Sequence, residues 1–343
     1  MRKCIRFLFL AACVAIIASG VRLYAAEGLD IDYDEPVYLE AAIEYAGYIR
    51  SGKWNMLAWS ETNYEHPPLF KILYGVVILP EPQLEKLHRW DFIMLSPMRV
   101  SNAIEYGMAA RYLSVFFGTV TAVVLALVNP IAGLFLAINS LSVKYTSQIY
   151  LEALPLLTSF LSVFSYLEYL KLMNNPSSHK AKKYFYVGLS ALLLGITAAS
   201  KFIYCVAGLA IVAHFLISWA RKQQSKRNWI VIIGWGAFSI VAFFIFNPYL
   251  WPHPWPRLEQ TIAFHLDFPG TQTVIRYGYP FWQPLRWLIN PFAYFDPRPQ
   301  TAFLIQVDWL IFLMAIIGLY RSYRNQFMYF VWLVTALIVL LLW

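Results

Sequence analysis

The chain has 343 residues, 59% hydrophobic and 13% charged, with a formal net charge of +8 and a positive mean hydropathy; soluble domains run about 45–50% apolar and about 25% charged. The apolar residues fall in long runs such as 202–219 and 230–246, near the roughly 20 residues that cross a bilayer, which excludes a soluble globule, a disulfide scaffold and a disordered chain. The positive charge sits in alternate loops between those runs, so it is a topology signal rather than a nucleic-acid footprint.

In chain order, hydropathy predicts about nine spans, at roughly 5–26, 109–128, 130–148, 151–171, 184–200, 202–220, 229–249, 303–320 and 326–343. Arg2, Lys3 and Arg6 open the first. Lys171, Lys180, Lys182 and Lys183 follow the fourth, Arg221, Lys222, Lys226 and Arg227 the sixth, and Arg321 and Arg324 the eighth. Basic loops stay in the cytoplasm. The expectation is therefore a multi-pass plasma-membrane protein with its N-terminus inside, 1–343 forming one transmembrane domain. Segments 27–108 and 250–302 then lie outside, with short external connections near 149–150 and 201. A cleaved secretory signal ending at Tyr24-Ala25-Ala26 competes with the first span, but the run is long for one and Tyr24 stands where a small residue is wanted. Cys4, Cys13 and Cys205 lie in or beside apolar runs without metal-ligand spacing.

Segment 27–108 holds most of the chain's 19 acidic residues. Asp30, Asp32, Asp34 and Glu35 crowd ahead of Pro36, which suits the first turn of a helix running to Arg50 and the Ser51-Gly52 stop. One carboxylate there would serve as a cap favoured by the helix dipole; the crowding exceeds what a cap requires. Further on, Glu65-His66-Pro67-Pro68-Leu69-x-Lys71 fixes a histidine between an acid and a lysine on stiff backbone, just before an interfacial helix over 69–79.

These residues carry a resemblance. Asp34-Glu35-x-x-Tyr38, Gly52-x-Trp54 and His66-Pro67-Pro68-Leu69-x-Lys71 look like the first external loop of protein O-mannosyltransferases and their bacterial relatives. Those are the polytopic GT-C glycosyltransferases, which include the enzyme that adds aminoarabinose to lipid A. Ala110-Arg111-Tyr112-Leu113-Ser114, Tyr150-Leu151-Glu152 and the stretch Gly195 to Lys201-Phe202 are similar to later parts of the family. The resemblance covers about residues 1–250. Members usually continue beyond nine spans, so a shorter chain is expected here. The implied fold is an all-α GT-C-like transmembrane bundle with a helical first external loop.

The resemblance implies sugar transfer from a polyprenyl-phosphate-linked donor to a lipid, glycan or protein hydroxyl, with inversion. It makes Asp34 the base, has Glu35 position it or bind the acceptor, and makes Glu152 a candidate second carboxylate. Inverting transfer needs a carboxylate to take the acceptor proton and cations for the leaving phosphate. Arg111 and Lys201 are expected in that second role, with His66 and Lys71 behind them; snorkelling to headgroups is the competing use of the two at span ends. Tyr38 from the first loop, and Trp251, Trp255, Tyr279 and Trp282 from 250–302, are the rings available to a sugar or acceptor, or to the interface belt. No cofactor is certain; the acids could hold a divalent cation through oxygen ligands, and the metal stays open. The competing function is a non-catalytic transporter or flippase of lipid-linked sugars, which calls for ionisable residues deep within several spans.

Overall fold

The computed structural model describes residues 2–29, 31–32, 34–80, 100–175, 177–221, 228–289 and 307–342. Asp30 of the acid crowd, and Glu81, Glu85 and Asp91, lie outside them. Among the described residues the regular structure is entirely helical. Helix α1 (Arg2–Gly28) leads to α2 (Glu35–Arg50) and α3 (Leu69–Val77) of the first loop; α4 (Val100–Val128), α5 (Pro130–Ile138), α6 (Ser140–Tyr145), α7 (Ala153–Met173), α8 (Lys180–Ser200), α9 (Val206–Ala220) and α10 (Asn228–Ile245) follow. The second loop forms α11 (Pro254–Asp267), α12 (Gln272–Tyr277) and α13 (Gln283–Ile289), and the chain closes with α14 (Asp308–Asn325) and α15 (Phe327–Leu342).

Six stretches among the described residues are long and apolar enough to cross a membrane: Phe7–Gly28, Gly107–Val128, Ala153–Met173, Lys180–Ser200, Phe202–Ala220 and Asn228–Ile245. The three other expected spans differ for separate reasons. Helix α14 carries Asp308, Arg321 and Arg324. Helix α15 is apolar, but its 16 residues give about 24 Å of rise against a hydrocarbon core of about 30 Å. Residues 303–306 lie outside the described residues.

The stretch expected at 130–148 is two helices joined at Asn139, which is extended (φ −66°, ψ 124°) and whose side chain accepts the Ser142 N–H at 2.9 Å to start α6. The segment still returns across the bundle. Arg111 in α4 and Ile149 after α6 both bond Glu35, while α4 runs on to Val128, about 25 Å beyond Arg111.

The break is closed from two sides. Arg22 of α1 donates to Leu136 O and Ala137 O, both at 3.1 Å, the carbonyls that the end of α5 leaves unpaired. It also reaches Ser142 Oγ at 3.1 Å and Thr146 Oγ1 at 2.8 Å. Asp308, at the start of α14, accepts from Ser140 N (2.9 Å), Ser140 Oγ (2.5 Å) and Asn139 Nδ2 (2.8 Å). A cation thus meets a helix C-terminus and an anion a helix N-terminus, the signs that the peptide dipoles favour.

One apolar core packs Tyr38, Leu39, Phe70 and Tyr74 of the first loop on Ala110, Ile149 and Leu151. A second joins α7, α8, α9, α10 and α15 through Val163, Tyr166, Ala191, Ile211, Trp235 and Met328. Helices α8 and α10 touch at Gly195, where a Cβ would lie 2.4 Å from Ala242 Cβ and 2.7 Å from Ser239 O. The crossing is closed to any side chain.

Candidate active site

The site forms where the end of α1, the start of α2, the 146–152 connection and the α8–α9 junction meet. Asp34 occupies the N-cap position of α2, with Pro36 in the first turn. Its backbone carbonyl accepts Val37 N (3.1 Å) and Tyr38 N (3.2 Å), yet its side chain makes no capping bond. Among the described residues the half-buried Asp34 carboxyl has no hydrogen bond or ion pair. Burial raises its pKa above the ordinary carboxylate value; Lys201 and Lys144 pull the other way, while Asp32 and Glu152 add to the rise.

Glu35, one residue on, is fully engaged. Its Oε1 accepts Arg111 Nε (2.9 Å) and Ile149 N (2.7 Å), and its Oε2 accepts Arg111 Nη2 (2.6 Å), Asp32 N (3.0 Å) and Gln148 Nε2 (3.2 Å). Arg111 is 2% exposed and turns Nη1 to Ala26 O (2.6 Å) and Leu29 O (2.9 Å). This buried pair ties α1, α2, α4, the Gln148 side chain and the Ile149 backbone together, and its guanidinium points into the protein. Tyr74 adds a second tie, bonding Ser114 Oγ at 2.6 Å and Tyr150 O.

Two further ion pairs flank Asp34. Lys144 of α6 meets Asp32 at 2.6 Å. Lys201, at the end of α8, pairs with Glu152 through Oε1, and the buried Glu152 Oε2 has no hydrogen-bond partner among the described residues. Tyr38 lies against this group: burial, then Glu152 and Asp34, push its hydroxyl pKa well above the usual phenol value.

His66 belongs to a turn pinned by Lys71, whose Nζ donates to Asn63 O (2.5 Å), Asn63 Oδ1 (3.1 Å) and His66 O (2.8 Å). Asn63 sits at φ 55°, a left-handed conformation that Asn tolerates better than most residues. Burial lowers the Lys71 pKa to about 7, against the pull of Glu65 and Glu44. The His66 ring packs 5.8 Å from Tyr38 and 5.6 Å from His265. Burial, Lys201, Lys71 and His265 hold its pKa well below the usual histidine value, so it is a neutral imidazole.

Helix α11 covers this turn. His265 Nε2 donates to Glu65 O at 2.9 Å, Thr261 Oγ1 to Tyr64 O at 3.4 Å, and Arg257 to Ala58 O and to Tyr249 O (2.5 Å). Tyr64 stacks on Tyr249 at 6.3 Å and meets Phe264 edge-on at 6.2 Å.

The structure therefore brings Asp34, Glu152, Lys201, His66 and Tyr38 together, with Glu35–Arg111 and Lys71 locked beneath them. No ring contact or hydrogen bond between described residues joins the four outer rings to this group. Trp251 donates to Phe244 O at 2.9 Å, Tyr279 packs 5.5 Å from Trp287, and the side chains of Trp255 (78% exposed) and Trp282 make no ring contact or hydrogen bond among the described residues. The Asp32–Lys144 pair is the part that sequence reasoning missed; polar Asn139 within the apolar run 130–148 is the signal that the run breaks and delivers Lys144 here. Among the described residues no group of three or more His, Cys, Asp and Glu side chains could hold a metal ion. Asp32 and Glu152 each face a lysine instead, whose ammonium opposes a second cation.

No protein-family profile matches the chain, and no curated protein matches it. Among solved structures the chain is similar to the S. cerevisiae protein O-mannosyltransferase Pmt1-Pmt2 complex bound to the sugar donor, at 20% identity and a TM-score of 0.49. The match covers 71% of this chain and 33% of that chain, so this chain spans about a third of that chain's length.

Proposed function

We propose that the chain is an integral-membrane glycosyltransferase of GT-C type. It moves a sugar from a polyprenyl-phosphate-linked donor to a lipid, glycan or protein hydroxyl on the external face of the plasma membrane, with its N-terminus in the cytoplasm. One observation carries the reading: Asp34 is an unpartnered, half-buried carboxyl set between the Lys144–Asp32 and Lys201–Glu152 pairs. The resemblance of the Asp34-Glu35 and His66-Pro67-Pro68-Leu69 motifs supports it from the sequence side.

In this proposal Asp34 takes the proton of the acceptor hydroxyl, whose oxygen bonds the anomeric carbon opposite the phosphate. The bond from that carbon to the phosphate oxygen breaks, and polyprenyl phosphate leaves with the electron pair. Lys201 and Lys144 stabilise the charge that develops on it, and neutral His66 offers a hydrogen bond. Glu152 keeps Lys201 in place until the phosphate arrives. Arg111 and Lys71 are given positioning roles rather than phosphate contact, because Glu35 and the 63–66 turn hold their donors. Tyr38 faces the sugar. Trp251, Trp255, Tyr279 and Trp282 suit a large acceptor or the bilayer interface, since Trp251 and Tyr279 find ring and backbone partners in their own part of the chain. The transporter reading loses support, because the buried cations Arg22 and Arg111 are locked by carbonyl and carboxylate partners.

The test uses membranes carrying the wild type or Asp34→Asn with a panel of radiolabelled polyprenyl-phosphate sugars. Transfer by the wild type should fall about 10²–10⁴-fold in the variant. Equal transfer removes Asp34 as the base. Absent transfer by a wild type that still binds the donor returns the transporter reading.

A further inference from the structure

A groove of about 370 Å³ opens between α8 and α10 at the end of the bundle opposite Asp34; ligand pockets occupy about 300–1,000 Å³. The two helices run parallel and touch at Gly195, which lies against Ser239 and Ala242. Toward their N-termini they part, and the wedge between them is lined by Tyr184, Gly188, Ala191, Ile230, Gly234 and Phe238. Trp235 closes its floor, donating Nε1 to Ser190 Oγ at 3.1 Å.

The mouth of the wedge is electrically one-sided. Both helices begin there, so both positive dipole ends meet at one height, and neither first turn holds an acidic residue. Lys180, Lys182 and Lys183 occupy the first turn of α8, where a cation opposes the dipole. Lys180 lies four residues before Tyr184, and Lys183 four before Val187, on the face that lines the groove. Among the described residues none of the three lysines has an ion-pair partner; the acid on neighbouring α7, Glu168, pairs with Lys171 at 2.5 Å.

We propose that this wedge binds one anionic phospholipid, its phosphate at the α8 and α10 N-termini beside Lys180 and Lys183 and an acyl chain along Gly188 and Gly234. The apolar lining calls for a chain, and the uncompensated mouth calls for an anion. A zwitterionic lipid satisfies only the first.

The experiment is native mass spectrometry of the purified full chain exchanged into micelles holding equal phosphatidylglycerol and phosphatidylcholine. The wild type should retain one phosphatidylglycerol under activation that strips phosphatidylcholine. Replacing the exposed Lys180 and Lys182 and the half-buried Lys183 together by Ala should weaken that retention about tenfold or more. Gly234→Leu, at a position where a Cβ meets nothing within 4 Å, should displace the lipid with an unchanged melting temperature. Equal retention of the two lipids overturns the proposal. So does retention that survives Gly234→Leu, or one that inorganic phosphate displaces as readily as free phosphatidylglycerol does.

Discussion

Glu35 and Arg111 meet in a two-point contact, Nε to Oε1 at 2.9 Å and Nη2 to Oε2 at 2.6 Å, with almost no exposure of either side chain. Asp34, its neighbour in the chain, has neither a cap bond nor an ion pair among the described residues. The Asp34-Glu35 dipeptide thus divides its labour: the second carboxylate fixes the frame in which the first stays free. Removing one member of a buried pair leaves the other charge without compensation. Glu35→Gln should therefore lower stability by about 3–5 kcal/mol, read as denaturant unfolding in detergent. Glu35→Met combined with Arg111→Met should recover much of that loss, because it removes both charges. Equal stability of Glu35→Gln and wild type would show that the pair does not hold the loop.

The pH dependence follows from the groups around Asp34. A base must be ionised, and burial, Asp32 and Glu152 all raise its pKa, so the acid limb of transfer should lie above the ordinary Asp value of about 3.9. Activity should rise as pH climbs through that limb. Glu152→Gln removes a neighbouring negative charge and frees Lys201, and both effects should move the limb to lower pH. Lys201→Met should move it to higher pH. The stability sign is opposite to that of an ordinary carboxylate. The folded state binds the Asp34 proton more tightly than the unfolded state, so the fold loses stability as pH rises through the window between the two pKa values. Asp34→Asn should hence melt higher than the wild type at neutral pH while losing transfer. A limb unmoved by both neighbouring substitutions would assign the titration to another group.

The first loop was legible because its signals are local: Pro36 marks the start of α2, Pro67 and Pro68 stiffen the turn before α3, and the acids stand out in an apolar chain. Helices α1, α4, α7, α8, α9 and α10 followed from length and hydropathy. What the sequence hid depends on distant partners. Averaged over 130–148, hydropathy passes over Asn139, and the break there is completed by Asp308, 169 residues away. Lys144 consequently reads as a cation deep in a span, yet α6 delivers it to Asp32. Arg111 reads as a free cation at a span end until Glu35 is found beneath it. The motif residues lie side by side in the fold, and only tertiary contacts separated the free groups among them from the fixed ones.

Gly195 gives a packing test linked to the site. A Cβ added there would lie 2.4–2.7 Å from Ala242 Cβ, Phe243 N and Ser239 O, two of them backbone atoms that cannot swing aside. Gly195→Ala should cost about 1–3 kcal/mol of overpacking, measured as a lower melting temperature. Because Lys201 ends the same helix, separating α8 from α10 should also raise KM for the donor more than Gly234→Ala does, at a glycine of α10 with open space around it. A Gly195→Ala protein that melts and transfers like the wild type would mean the helices are not in contact there.

The broken crossing supplies the last prediction. Helix α6 is six residues long, too short to persist alone, so its position depends on what holds its ends. Asp308 accepts the Ser140 N–H and hydroxyl and the Asn139 amide; Arg22 holds the carbonyls just before the break and the Ser142 and Thr146 hydroxyls after its start. Asp308→Ala should leave buried donors without an acceptor, at about 1–3 kcal/mol. Asp308→Asn keeps an acceptor oxygen and should recover part of that. The distinguishing readout is local. Hydrogen exchange at 140–146 should accelerate in Asp308→Ala, and transfer should lose donor affinity as Lys144 drifts from Asp32, with the acid limb set by Asp34 moving up as the pull of Lys144 on that pKa is lost. Accelerated exchange across all helices at once would mean that Asp308 holds the whole bundle, and unchanged exchange at 140–146 would mean that Arg22 alone suffices to fix α6.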